Sequence, residues 1–425
     1  MYQEWGLDFY SYYLSSIEFR HGINPYHIYL TKHPLFPTTC VLVPNPNPPL
    51  ALLLMSAFSY FSYIKAYVAW ATLSTLLGLI GVYQTLLCFY KKLDKNTLFL
   101  CVILYLAAFP VLENAALAQV GGIMLFLLAS GYRAFLNSQD FKAGFWWGLL
   151  IALKLFPALL VIFAFLKARY RLCFALLLFS IGFTFLPLLS HDKIIYQQYM
   201  NNVNELYWYG INWNGSILGI LYKYFVTLEP YKIPYLGKTI SMMQHADIRH
   251  AYHVKLVFIC ISLAIIGLWV FFFKKLEDNL KHRDFAFLVV LMLLVSPFAW
   301  IYYFPMLLIP LTATFEEAKE NSNYFMLWFL CLLFLYFPMP IMLSSQVNTT
   351  FWEKLTIYSM AFYGLMLLAY LTLTIKHDPH DSPTKGTLSQ VYIKYSLIGV
   401  TSLSLLFLIM RVFVLIVLYV TGVRG

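Results

Sequence analysis

Charge is what this chain has least of: of its 425 residues only 11% are Asp, Glu, Lys or Arg, against 61% hydrophobic and 19% aromatic, with a mean hydropathy of +0.71. Soluble domains carry roughly 25% charged residues and about half apolar ones, so a soluble enzyme is excluded and no stretch is left over for a soluble domain. Cysteine is scarce too. Of six, Cys88, Cys101, Cys173, Cys260 and Cys331 fall in or beside apolar runs and Cys40 sits in a polar loop, which excludes a disulfide framework or a thiolate metal set. The opening "MYQEWGLDF" has no apolar core of the roughly 7–15 residues that a secretory signal needs. No repeat of fixed period and no low-complexity tract stands out.

What is present is a succession of apolar runs near the roughly 20 residues that cross a bilayer, with Trp and Tyr crowding their ends. Spans are expected near 64–90, 96–110, 117–136, 171–190, 252–273, 323–344, 356–376 and 395–421. Two further stretches are interrupted: "AGFWWGLLIALKLFPALLVIFAFLKARYR" by Lys154 and Pro157, and "FAFLVVLMLLVSPFAWIYYFPMLLIPL" by "SPFAW" and Pro305. Proline removes an intrahelical donor and clashes with the preceding turn, so each is expected to form two short helices that enter and leave on one side.

The formal charge of +10 is gathered in short clusters beside spans, which argues against nucleic acid as a partner. With both broken stretches turning back, "KKLDKN" (91–96), "RAFLNSQDFK" (133–142), "KARYR" (167–171), "KKLEDNLKHRD" (274–284) and "KHDPHDSPTK" (376–385) share one side, the cytoplasmic one by the excess of Lys and Arg. The opposite side receives residues 1–49, a piece around Glu113, the long segment 191–251 and the loop 344–354. The expected organisation is one integral membrane domain, 1–425, with 1–49 as a first extracytoplasmic loop and 191–251 as a long one. A first segment on the outside with no span ahead of it is an unusual arrangement.

Within that first segment, Asp8, Ser11, Ser15 and Glu18 fall on one helical stripe, with Phe9, Tyr10, Tyr13, Leu14 and Ile17 covering the rest. Two readings follow: an interfacial helix with solvated acids, or a helix presenting a functional carboxylate. Gly22 is suited to the left-handed residue that ends such a helix, and "NPY" to the turn after it. Lys154 lies inside an apolar run, where a charge costs about 2.5–3.5 kcal/mol even on the lenient insertion scale. It must therefore bind an anion, pair with an acid or snorkel. Arg411, inside "LFLIMRVFVLIV", meets the same argument and is read as pairing with a buried acid.

Asp8 with "GINPY" after it, then "PNPPL", "AALAQVGG", "AGFWWGLLIALKLFP", "NWNGSILGI" and "SPFAWIYY", in that order, resemble glycosyltransferase family 87. The resemblance implies an all-α polytopic membrane protein with the C-type glycosyltransferase fold, about nine to twelve transmembrane or half-membrane helices. It implies an inverting, polyprenyl-phosphomannose-dependent transferase in the bacterial cytoplasmic membrane, with its active site on the extracytoplasmic side. Its partners would be a polyprenyl-phosphate sugar, a glycolipid or glycan acceptor and membrane lipids. The family takes an Asp just after the first span as catalytic base. Asp8 holds that position, which implies one span ahead of Met1. Where the family has Gln followed closely by Asn, this chain has Gln119 and then Gly121; where it has His after the Trp of Ser-Pro-x-x-Trp, this chain has Tyr302 and Tyr303.

Transfer from a lipid phosphate needs a base for the acceptor hydroxyl and positive charge for the departing phosphate. No metal and no cofactor beyond the lipid-linked donor are expected, and no Asp-x-Asp motif occurs. Asp8 is the first candidate base, with Glu18 and Glu113 behind it, the latter equally readable as an acid at a helix N-terminus. Lys154 is the candidate phosphate ligand. Arg20 and His21 suit phosphate, sugar or headgroup contact, and Gln119, Asn214, Trp300, Tyr302 and Tyr303 are candidates for lining the substrate, Trp300 serving equally well as interfacial belt. A secondary transporter or lipid flippase is the alternative; it would explain Lys154 and the broken helices, but no pair of matching halves is visible.

Overall fold

Helices account for nearly all regular structure in the computed structural model. It describes residues 7–375 apart from 28, 33–38, 43, 91–92, 207, 227, 236–237, 246–247, 274–280 and 337–350, and beyond 375 only residues 402 and 409. The expected span 395–421 and Arg411 lie outside the described residues. In chain order come α1 (Leu7–Arg20), a hairpin of β1 (Tyr29–Lys32) and β2 (Thr39–Leu42), α2 (Pro49–Ser56), α3 (Tyr63–Phe89), α4 (Lys95–Ala107), α5 (Phe109–Ala116), α6 (Gly121–Leu136), α7 (Asp140–Leu153), α8 (Leu159–Leu166), α9 (Tyr170–Phe185) and α10 (Ile194–Glu205). Then follow α11 (Ile217–Phe225), a second hairpin of β3 (Leu228–Tyr235) and β4 (Lys238–His245), α12 (Ile248–Phe273), α13 (Lys281–Leu294), α14 (Leu308–Glu320) and α15 (Ser322–Tyr336), with a further apolar helix over Met360–Leu373.

Among the described residues four helices are long and apolar enough to cross a membrane: Tyr63–Phe89, Tyr170–Leu189, Arg249–Phe273 and Phe351–Leu373. The α4–α5 pair, bent by 58°, makes a fifth, and Gly121–Leu136, Phe156–Leu166 and Ser322–Tyr336 are shorter apolar helices. The protein is an all-α polytopic membrane protein. Two units divide it: Met1–Asn204 with Tyr302–Thr312 and Thr384–Gly425, and Glu205–Ile301 with Ala313–Pro383.

In the first unit α3 packs on α6 and α7 on both α6 and α9. The break at Lys154 and Pro157 falls where the sequence places it: α7 stops at Leu153, Lys154 is extended, and a single 3-10 turn over Phe156–Ala158 leads into α8. Arg169, just past α8, donates from Nε to Asp140 Oδ1 at the start of α7 (3.0 Å), so the two half-helices return to the side they came from. The chain then crosses in Tyr170–Leu189, a helix of 20 residues, or about 30 Å. At its far end the His191 ring stacks on Phe19 of α1, centroids 3.7 Å apart.

Phe19, Tyr26, Leu52 and Ile195 close a small core there, tying α1 and the "NPY" turn to α2 and α10. Across α1, Phe9, Tyr10 and Tyr13 meet Tyr63 at the start of α3, the end away from "KKLDKN". The two membrane-length helices among this unit's described residues thus agree: α1 and α10 sit at one end, and residues 133–142 and 167–171 at the other.

The serines on the polar stripe of α1 are not solvated. Ser11, Ser15 and Ser16 are buried with Phe9, Tyr12 and Phe19, so the polar stripe is turned inward. Gly22 ends the helix at φ +72°, with the Ile23 amide donating back to the Glu18 carbonyl over 2.9 Å.

Candidate active site

Asp8 stands in the first turn of α1, where the helix dipole favours a carboxylate. Its Oδ2 accepts a 2.8 Å hydrogen bond from Gln119 Nε2, and the same nitrogen donates to the Tyr12 hydroxyl, also over 2.8 Å. Tyr12 is four residues after Asp8, the spacing that puts two side chains on one face of a helix. Burial first, and the Asp8 charge second, push the Tyr12 hydroxyl far above the ordinary tyrosine range, so it remains a neutral phenol.

Gln119 is held by the turn between α5 and α6, the "AALAQVGG" stretch. Ser74 Oγ of α3 donates to the Gln119 carbonyl (2.8 Å), and Tyr67 donates to the Ala116 carbonyl (2.7 Å). Asn114 Oδ1 accepts from the Gly121 amide (2.6 Å) while its Nδ2 donates to Ser74 Oγ (3.1 Å). Only glycine fits the two positions that follow Val120: a Cβ on Gly121 would lie 1.8 Å from the Tyr302 carbonyl oxygen, and one on Gly122 2.1 Å from that of Ser74. The glycines therefore bring the Gln119 turn against both α3 and the Tyr302 backbone.

Lys154 closes the group. As the residue after α7, it stands about 21 Å from that helix's start, less than the roughly 30 Å of a hydrocarbon core. Its Nζ lies 5.2 Å from the Tyr303 ring centroid, and its ammonium interacts electrostatically with the Asp8 carboxylate. Tyr302 and Tyr303, perpendicular with centroids 5.0 Å apart, also lie within electrostatic reach of Asp8. Asp8, Gln119, Lys154, Tyr302 and Tyr303, distant in sequence, thus gather in one unit.

Sequence reasoning passed over Tyr12 and Asn47. In "NPNPP", Asn45 Oδ1 accepts from the Asn47 backbone amide (3.0 Å) and from Asn47 Nδ2 (2.7 Å), Tyr26 donates to the Asn47 carbonyl (3.0 Å), and Asn202 Nδ2 to the Asn45 carbonyl (2.8 Å). Asn47 in turn acts on the Tyr12 hydroxyl. The motif is a buried brace linking α10 to Tyr12. The signal available in sequence was the four-residue spacing of Asp8 and Tyr12.

The remaining candidates have other partners. Glu18 accepts from Tyr29 (2.6 Å) and faces His27 (3.5 Å). Arg20 donates to Ser59 (3.2 Å) under the Tyr60 ring, and His21 beside it is exposed; about 18 Å of helix separates them from Asp8. Glu113, expected in an outer loop, is instead fully buried within α5. In the second unit, Asn214 and Trp300 form a β-bridge. The Asn214 Oδ1 accepts from the amides of Ser216 (3.1 Å) and Ala299 (2.9 Å), and Nδ2 donates to the carbonyls of Tyr209 and Pro297 (both 2.9 Å). Its hydrogen bonds all go to backbone. Among the described residues no group of three or more His, Cys, Asp or Glu converges as metal ligands would.

Residues 45–297 match the profile of glycosyltransferase family 87. The chain belongs to this family. It is a membrane glycosyltransferase. Within family 87 terms, Gln119, Lys154 and Asn214 fall inside the matched residues, while Asp8, Tyr302 and Tyr303 flank them. No curated protein and no solved structure matches the chain.

Proposed function

We propose that this family 87 enzyme moves a hexose, mannose first among the candidates, from a polyprenyl phosphate to a hydroxyl of a glycolipid or cell-envelope glycan, with inversion. Asp8 is the general base. As the acceptor oxygen forms its bond to the anomeric carbon, its proton passes to the Asp8 carboxylate, and the bond from that carbon to the phosphate oxygen breaks. The leaving group departs as polyprenyl phosphate, its negative charge met by the Lys154 ammonium. Such a base contributes ~10²–10⁴-fold, and fixed positive charge where negative charge develops adds a comparable factor.

The observation that carries this reading is the meeting of an acidic and a basic side chain, Asp8 held by Gln119 and Lys154 beside Tyr303, in a chain with few charges. Glycosyl transfer from a lipid phosphate calls for a proton acceptor and for positive charge facing the departing phosphate, the roles proposed for Asp8 and Lys154. The site is assigned to the extracytoplasmic face of the cytoplasmic membrane, because α1 and α10 lie at the end opposite the basic clusters. Incubating membranes with radiolabelled polyprenyl-phosphate mannose, polyprenyl-phosphate arabinose and a nucleotide-diphosphate mannose tests the donor class. Labelled glycolipid from the polyprenyl-phosphate mannose is expected; labelling from the nucleotide sugar alone would refute the reading.

A further inference from the structure

Gln119 is 1% exposed, and its two terminal atoms are in opposite circumstances. Nε2 bonds to Asp8 Oδ2 and to Tyr12, whereas Oε1 is buried with no hydrogen-bond partner among the described residues. The orientation of the amide is fixed by chemistry. An ionised carboxylate only accepts, so the NH₂ end must face Asp8 and the carbonyl must face away. With both N–H groups committed, the amide cannot rotate to satisfy Oε1 without leaving Asp8. A buried acceptor without a donor is costly, and a hydroxyl that arrives with a ligand would satisfy this one. Tyr12 completes the arrangement: its oxygen accepts from Gln119, so its own proton is directed elsewhere.

We propose that Gln119 Oε1 accepts a hydrogen bond from a sugar hydroxyl neighbouring the reacting centre, with Tyr12 as the positioning residue that locks the amide. This rests on the glycosyl-transfer reading above. It makes Gln119 a determinant of which sugar is accepted, in addition to a support for the base. The hydroxyl belongs either to the donor sugar or to the acceptor, and the chemistry at Oε1 is the same for both.

The test is equilibrium binding to the purified full-length protein in nanodiscs, with one substrate present at a time so that no turnover occurs. The acceptor arm uses octyl α-mannoside and its monodeoxy analogues; the donor arm uses citronellyl phosphomannose and its monodeoxy analogues. In the wild type, removal of one particular hydroxyl in one arm should weaken binding about tenfold, the scale of one hydrogen bond to a desolvated acceptor. Gln119→Met should abolish that discrimination, bringing the parent and deoxy compounds to within about twofold. Tyr12→Phe, which leaves one amide proton unbonded, should reduce it in the same direction and serves if the Met variant does not fold.

Discrimination unchanged in a folded Gln119→Met or Tyr12→Phe protein would overturn the proposal, as would equal binding of every analogue by the wild type, or no binding of any compound. Sugar transfer from the polyprenyl-phosphate donor is assayed separately on the same preparation. Transfer without Gln119-dependent discrimination sinks this inference alone, and absence of transfer from that donor sinks the reading beneath it.

Discussion

A lysine inside an apolar run is the residue most readily picked out of this sequence, and Lys154 lies beside Tyr303 and within electrostatic reach of Asp8. If it meets the departing phosphate, Lys154→Ala should cut turnover with a polyprenyl-phosphate donor by about 10²-fold or more, while Lys154→Arg retains part of it. Steady-state kinetics in proteoliposomes would show this; a folded Ala variant with native turnover would place the phosphate elsewhere. Asp8 and Lys154 were legible because charge in a greasy chain demands a reason. Tyr12 was less legible, because in a segment as aromatic as "DFYSYY" its four-residue spacing from Asp8 is the sole mark on it before the partner from the α5–α6 turn is known. Asn214 was legible as a polar residue of interest, but sequence could not show that both ends of its amide are engaged by backbone.

At the scale of elements, the proline and "SPFAW" signals located both helix breaks, since a missing donor and a ring clash act locally. The fate of α1 was less legible. Its polar stripe suits a surface equally well on paper, and it turns inward because Gln119 and Tyr29 supply hydrogen bonds at its two ends. The α5–α6 turn that carries Gln119 depends on close backbone approach. Gly121→Ala, whose methyl would lie 1.8 Å from the Tyr302 carbonyl, should destabilise by about 1–3 kcal/mol or more, as overpacking does. Gly182→Ala, on α9 with nothing within 4 Å, should be neutral or slightly stabilising, since Ala is the better helix former. Thermal unfolding of the two purified variants decides; equal midpoints would mean that the turn relaxes freely.

For the whole molecule, the succession of apolar runs made the class of protein legible, because the membrane imposes span length on any chain that crosses it, and the basic clusters are what the proposed side assignment rests on. The pairing of distant segments, such as Asn202 with Asn45, follows from packing that no local pattern encodes. In a background without native cysteines, Lys193→Cys should react with a membrane-impermeant maleimide on intact cells, and Lys142→Cys only after permeabilisation. Both positions are exposed. The reverse pattern would invert the topology and move the Asp8 end of the first unit to the cytoplasm.

Asp8 is the proposed acceptor of the hydroxyl proton, and the rate of sugar transfer by Asp8→Asn decides that role. Asparagine preserves shape and still accepts from Gln119 while lacking basicity, so transfer from labelled polyprenyl-phosphate mannose in a purified assay should fall ~10²-fold or more. Asp8→Glu, displaced by one methylene, should be partly active because position governs proton transfer, and Glu18→Gln, about 15 Å along the same helix, should lose much less. The expected result is a folded, donor-binding Asp8→Asn protein that hardly turns over; native-rate transfer by that variant would remove Asp8 as the base.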